Sequence, residues 1–206
     1  MKRVLLHFFI LFFCYLPTSW AVVELGMNVG YDKQYFGENR ESYSTTLTYS
    51  GSLAFYFTSN LALELNYSQS EDDTNQSYSK DTLETVSITH LQNRVFTKVF
   101  GIGIRASLGS IKTSRLVPMI SLGYAKQFVE DQTTYTLYLT DSDTETTITY
   151  VNPKKTIESM FGSFMLQLKI TQRFTLKASV KTVFKAFEFN KAKDYLKYLV
   201  GFSWYL

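Results

Sequence analysis

From Val22 to Leu206, apolar side chains recur at every second residue in segment after segment, and no long segment holds them at helical spacing. A strand turns successive side chains to opposite faces, so this period specifies half-buried strands. In 22–32, Val23, Leu25, Met27, Val29 and Tyr31 share one face, while Glu24, Gly26, Asn28, Gly30 and Asp32 share the other. The second segment, about 43–57, sets Leu47, Tyr49, Leu53, Phe55 and Phe57 against Thr46, Thr48, Ser50, Ser52 and Ala54. The third places Leu61, Leu63, Leu65 and Tyr67 opposite Ala62, Glu64, Asn66 and Ser68.

The pattern continues to the end of the chain. A fourth strand near 85–108 carries Phe100, Ile102 and Ile104 against Gly101, Gly103 and Arg105; a fifth, from 116, carries Ile120, Leu122 and Tyr124 against Ser121, Gly123 and Ala125. The sixth (about 156–170) opposes Phe164, Leu166, Leu168 and Ile170 to Ser163, Gln167 and Lys169. The seventh (174–188) opposes Phe174, Leu176, Val180 and Phe184 to Lys177, Ser179, Lys181 and Lys185, and the eighth aligns Leu196, Tyr198, Val200, Phe202, Trp204 and Leu206. Abundant Tyr, Phe and Thr favour strands, and only three prolines interrupt them. At 206 residues, one domain is expected.

Residues 1–21 stand apart. Met1-Lys2-Arg3 is a basic start, Val4 to Leu16 an apolar run, and Ser19 and Ala21 supply small residues for cleavage. The run is shorter than the roughly 20 residues of a spanning helix, so a signal peptide cleaved after Ala21 is expected and 22–206 forms the mature domain. Cys14, the only cysteine, leaves with it, which excludes a disulfide scaffold. Loss of Lys2 and Arg3 brings the formal charge from +3 to about +1, and no basic excess points to nucleic acid.

Eight strands joined alternately by short turns ("TSN" at 58–60, "TQR" at 171–173) and longer polar loops have the asymmetry of a transmembrane barrel, all-β and antiparallel in up-and-down order. The segment 130–155 reads as two strand arms about a turn, extending the fifth and sixth strands above the membrane. Tyr31, Tyr49, Tyr67, Tyr124 and Tyr198 fall about 15–20 Å above the lower rim, near the top of a roughly 25 Å apolar band. Phe57, Phe174 and Trp204 mark its lower edge. A soluble lipocalin-type barrel would turn the same apolar faces inward; the opposite faces, rich in Gly, Ala, Ser, Thr and Asn, suit a narrow lumen better than a soluble surface.

The stretches "LGMNVGYD", "TSNLALELNYS" and the terminal "YLVGFSWYL" make 22–206 resemble the small eight-stranded outer-membrane β-barrels of Gram-negative bacteria, the group that includes outer membrane proteins X and W and the OmpA transmembrane domain. The resemblance implies residence in the outer membrane among lipid and lipopolysaccharide. It also implies a C-terminal strand recognised by the barrel-assembly machinery, although Leu206 stands where members usually end in an aromatic, with Trp204, Phe202 and Tyr198 in phase behind it.

The polar face carries the candidate site residues. Glu24, Glu64, Arg105, Lys169 and Lys177 fall at similar heights above the periplasmic end, and Glu64 with Arg105 on the adjacent strand is the expected pair in a salt-bridged plug. Higher up, Lys181, Lys185 and Lys197 form either an anion-attracting vestibule or solvated strand ends. On the outer face, Lys98 and Lys126, with Arg94 above, either meet lipopolysaccharide phosphates or snorkel. His90 is the only histidine after residue 21 and has no nucleophile motif around it, so a lipid-modifying enzyme is disfavoured and no cofactor or metal is expected. A structural or surface-interaction role is the primary expectation, with a narrow solute channel as the alternative.

Overall fold

The computed structural model describes residues 22–37, 41–78, 86–109 and 114–206; the expected signal peptide lies outside them. Nine strands form one sheet: β1 (Val22–Phe36), β2 (Ser42–Tyr56), β3 (Leu61–Ser77), β4 (Val86–Ser107), β5 (Leu116–Leu139), β6 (Thr144–Val151), β7 (Lys155–Lys169), β8 (Phe174–Lys185) and β9 (Leu196–Tyr205). All pairings are antiparallel, and the β4–β5 and β1–β9 ladders close eight of the strands into an up-and-down barrel. The ninth, β6, pairs with the upper part of β5, Gln132 opposite Val151 through Leu139 opposite Thr144. The 130–155 hairpin is thus built as expected, with the sixth strand broken at Asn152–Lys154 around Pro153, which cannot donate to a ladder.

Register fixes the shape. From Val22 the rungs pass through Tyr56, Ala62, Arg105, Ser121, Ser163, Lys181 and Lys197. In the β9–β1 register Lys197 lies level with Asp32, so one circuit climbs ten residues. For eight strands this stagger gives a tilt of about 41° and a backbone radius of about 8 Å. So narrow a barrel is filled by side chains.

The alternation sorts itself accordingly. Leu25, Met27, Leu63, Leu65, Ile102, Ile104, Leu122, Leu166, Leu176 and Phe202 point outward and are exposed, whereas Glu24, Glu64, Arg105, Ser121, Gln167 and Ser203 are buried inside. This is the reverse of a lipocalin. All five girdle tyrosines point outward, and Phe57 and Trp204 do so at the lower rim. From Phe57 to Tyr49 is about 26 Å along β2, or about 20 Å along the barrel axis at that tilt.

Two boundaries differ from the sequence expectation. The first strand continues to Phe36, because above the membrane it still pairs with β2 down to Phe36 opposite Ser42. The seventh ends at Lys185 rather than 188: the chain leaves the barrel wall through Phe187, whose φ of 69° is left-handed, and enters a 3-10 helix at Phe189–Tyr195.

Candidate functional site

The centre of the barrel is a polar network to which every barrel strand contributes. Arg105 on β4 donates through Nε to Glu64 Oε2 (3.1 Å) and through Nη2 to Glu64 Oε1 (2.9 Å), a bidentate fork. Nη2 also reaches Ser52 Oγ on β2 at 3.3 Å. Arg105 Nη1 lies 3.1 Å from Glu24 Oε2 on β1, an ion pair by distance but without hydrogen-bond alignment. Glu24 is satisfied from three other strands, by Tyr56 Oη on β2 (2.8 Å), Gln167 Nε2 on β7 (2.8 Å) and Lys177 Nζ on β8 (3.3 Å). Tyr205 Oη on β9 donates to Gln167 Oε1 at 2.6 Å, and Met119 on β5 brings its thioether to 3.7 Å from Tyr56 Oη. Asn66 donates to Glu64 at 3.2 Å and accepts from Lys181, whose ammonium also meets Ser68 Oγ at 3.4 Å.

The structure brings Glu24, Glu64, Arg105 and Lys177 together. Lys169 is half-buried one lumen-facing position below Gln167, which donates to Glu24. Tyr56, Tyr205 and Gln167 complete the network unforeseen. Their parity with Ser52, Ser203 and Ser163 was the available signal.

Above this layer lies an apolar one. Phe161 on β7 is buried over Gly101, Gly103 and Gly123, where an added Cβ would come within 2.9, 2.8 and 2.5 Å of its ring. The three glycines leave the space that the Phe161 ring fills at this level of the lumen. Lys181 Nζ stands 5.8 Å from the ring centroid. Beside them, Asn28, Ser50, Ser52, Asn66, Lys177 and Lys181 line a cavity of about 20 Å³, room for about one water.

The upper lysines do not gather into one vestibule. Lys181 is committed to Asn66 and Ser68; Lys197 faces Asp72 across the lumen at 3.9 Å; Lys185 pairs with Glu188 at 2.9 Å. Neither carboxylate sits on a strand adjacent to its lysine, which is why strand neighbours alone did not reveal them. Outside, Arg94 is engaged by Glu71 (3.5 Å) and Asp73 (3.3 Å). Lys98 and Lys126 are exposed and lie diagonally on β4 and β5, with Lys98 opposite Phe128 and Lys126 opposite Phe100. Higher on the same wall, Lys154 holds Glu130 at 2.8 Å, and this hydrogen bond, reinforced by the charges of Lys154 and Lys98, keeps the Glu130 carboxyl below its ordinary range. Among the described residues no group of His, Cys, Asp or Glu is placed to hold a metal.

An outward apolar wall around a filled polar lumen defines a membrane-spanning β-barrel of the bacterial outer-membrane type. No family model and no curated protein matches the sequence. Solved structures do match in fold. The N-terminal β-barrel domain of Pseudomonas aeruginosa OprF aligns over 90% of this chain and 98% of its own at TM-score 0.50 and 16% identity. The outer membrane protein OprG from the same organism aligns over 93% of this chain and 98% of its own, at TM-score 0.52 and 10% identity.

Proposed function

We propose that this protein serves the outer membrane as a structural and surface-interaction barrel, with its working surface at the outer rim rather than in the lumen. One observation carries the reading: the layer around Arg105 fills the lumen with side chains from all eight barrel strands, and each of its four charges, on β1, β3, β4 and β8, is held by a partner. A conduit would need that layer to part, which exposes buried charges to one another's loss. Export through the leader at 1–21 and insertion by the assembly machinery through Leu196–Leu206 complete the proposal. Lys98 and Lys126, opposite Phe128 and Phe100 on the outer wall and with the Lys126 ammonium 6.0 Å from the Phe128 ring centroid, suit contact with lipopolysaccharide phosphates just above the acyl region. No catalytic role is assigned, since His90 lies in the β4–β5 wall opposite Thr136, away from the buried network.

The test is electrical. The folded protein in planar bilayers should give no steady single-channel current, and a reproducible ohmic conductance would overturn the reading in favour of a narrow solute channel.

A further inference from the structure

The charges buried in the lumen do not cancel. Glu24 and Glu64 stand against Arg105, Lys177 and Lys181, and none of the five is more than 7% exposed, so one positive charge is left over. It falls on Lys181. Arg105 holds both carboxylates, Lys177 pairs with Glu24 and Lys197 above has Asp72, whereas Lys181 meets only the neutral Asn66 Oδ1 at 2.5 Å and Ser68 Oγ at 3.4 Å. A buried charge needs a counter-charge or must give up its proton.

Hydrogen-bond donors are in surplus at the same place. Lys177 and Lys181 lie on the lumen side of β8, and both border the cavity of about 20 Å³ above the Arg105 layer. Each ammonium has three protons. Lys177 places one on Glu24 and Lys181 places two, on Asn66 and Ser68, so three have no acceptor among the described residues. Asn28 Oδ1, on the same wall, is buried without a donor; with the amide turned over, it takes the Ser50 hydroxyl proton and Nδ2 joins the surplus. Ser163 and Ser179 add hydroxyls that can turn toward the space. Glu64 also borders it, but Arg105 covers both Glu64 oxygens. A water would take only part of these protons and leave the charge uncancelled. A monatomic anion accepts from all sides and cancels it, in a space that holds one particle of that size.

We propose that this cavity binds one monovalent anion of halide size, held between the ammonium groups of Lys177 and Lys181. Size sets the selectivity: chloride or bromide enters, whereas sulfate, phosphate and organic acids do not fit beside the Asn66 and Ser163 side chains. Because the site exists only when β1, β3, β7 and β8 have closed around it, the unfolded chain does not bind the anion, and occupancy stabilises the barrel by mass action. The inference goes beyond the reading of the outer rim. A conducting barrel would reject that reading and leave this site standing, since stability rather than current reports on it.

The experiment is urea unfolding of the full barrel in lipid vesicles at constant ionic strength, with sodium gluconate replaced stepwise by sodium chloride. For a site half filled at about 10 mM, raising chloride from about 10 to about 100 mM should lower the unfolding equilibrium constant about fivefold. Lys181→Met removes the unpaired charge and should remove the chloride dependence. Ser163→Val keeps every charge but fills the space, and should remove it too. Lys155→Met, at an exposed position on β7, should respond to chloride as the unaltered protein does. Comparing each salt between the unaltered protein and Lys181→Met cancels the general effect of that salt on the chain. On this comparison sulfate should have no specific effect.

Equal stability in chloride and gluconate overturns the proposal and leaves the cavity to water. So does a chloride dependence that persists in Lys181→Met or in Ser163→Val, which would place the effect elsewhere, and so does a specific response to sulfate. Crystals grown with sodium bromide give the direct view. An anomalous signal between the Lys177 and Lys181 ammonium groups supports the site; a signal confined to exposed lysines, an adventitious ion only, overturns it.

Discussion

Replacing Arg105 with alanine removes a side chain that is 1% exposed and holds two carboxylates at once. Glu64 would keep Asn66 as its neutral donor, and Glu24 would keep Lys177, Tyr56 and Gln167. The loss falls mainly on Glu64, left as a buried charge without a cation. Breaking a buried pair from one side costs about 3–5 kcal/mol. Arg94 supplies an internal comparison, because it meets Asp73 at a similar 3.3 Å but with side chains 42% and 25% exposed, where such pairs contribute about 0–1 kcal/mol. Urea titration of the protein in lipid vesicles, followed by tryptophan fluorescence, should therefore separate Arg105→Ala from Arg94→Ala by at least about 2 kcal/mol. The double variant Arg105→Met with Glu64→Gln should recover much of the loss, since it leaves no uncompensated charge while Glu24 keeps Lys177. Equal stabilities for Arg105→Ala and Arg94→Ala would refute the buried-network account.

Three further outcomes follow from other parts of the molecule. Gly101→Ala should destabilise by about 1–3 kcal/mol and be rescued by Phe161→Leu, because the new Cβ meets chiefly the Phe161 ring; Gly103→Ala should not be rescued, because its Cβ also meets the Leu122 carbonyl, and thermal melts of the four proteins decide this. The Glu130 carboxyl, held below its ordinary value of 4.5 by the hydrogen bond from Lys154, stabilises the base of the hairpin at pH above that value and loses this contribution as pH falls through its depressed value; amide exchange at 152–156, corrected for intrinsic rate, should therefore accelerate at pH 3 relative to pH 6. Lys98→Ala with Lys126→Ala should weaken binding of lipopolysaccharide to the nanodisc-embedded barrel about tenfold and leave binding of its dephosphorylated form unchanged, measured by fluorescence titration.

Parity carried most of the fold. The faces of β1, β3 and β9 could be assigned from Leu25, Leu63 and Val200 alone, because a period of two leaves a residue only two directions. It also exposed Glu64 and Arg105, which sit near one another on adjacent strands where counting from a common end works. The same counting did not single out Gln167, the β7 residue that bonds Glu24, since a climb of ten residues per circuit displaces levels between distant strands. Tyr56, Tyr205 and Phe161 were hidden by residue type: aromatics suggest lipid, yet all three sit in phase with lumenal serines. Lys197 with Asp72 is a contact across the lumen, and no local spacing encodes it. The split of the sixth strand turned on Pro153, whose effect depended on whether the chain stayed in the wall or rose above it.

The seam between β1 and β9 is a short one, six residue pairs from Glu24 opposite Tyr205 to Val29 opposite Val200. A slip of one residue there would send Glu24 toward lipid and is rejected by the hydrophobic pattern. A slip of two keeps every apolar side chain outside, so the pattern cannot detect it. Glu24 can: displaced by two residues, it would lie about 7 Å along the strand from Gln167 and Lys177, which stand on the β9 side of the seam, while Tyr56 in the β1–β2 ladder would move with it. The buried carboxylate thus proofreads the joint between the first and last strands, admitting one register among those that alternation would accept.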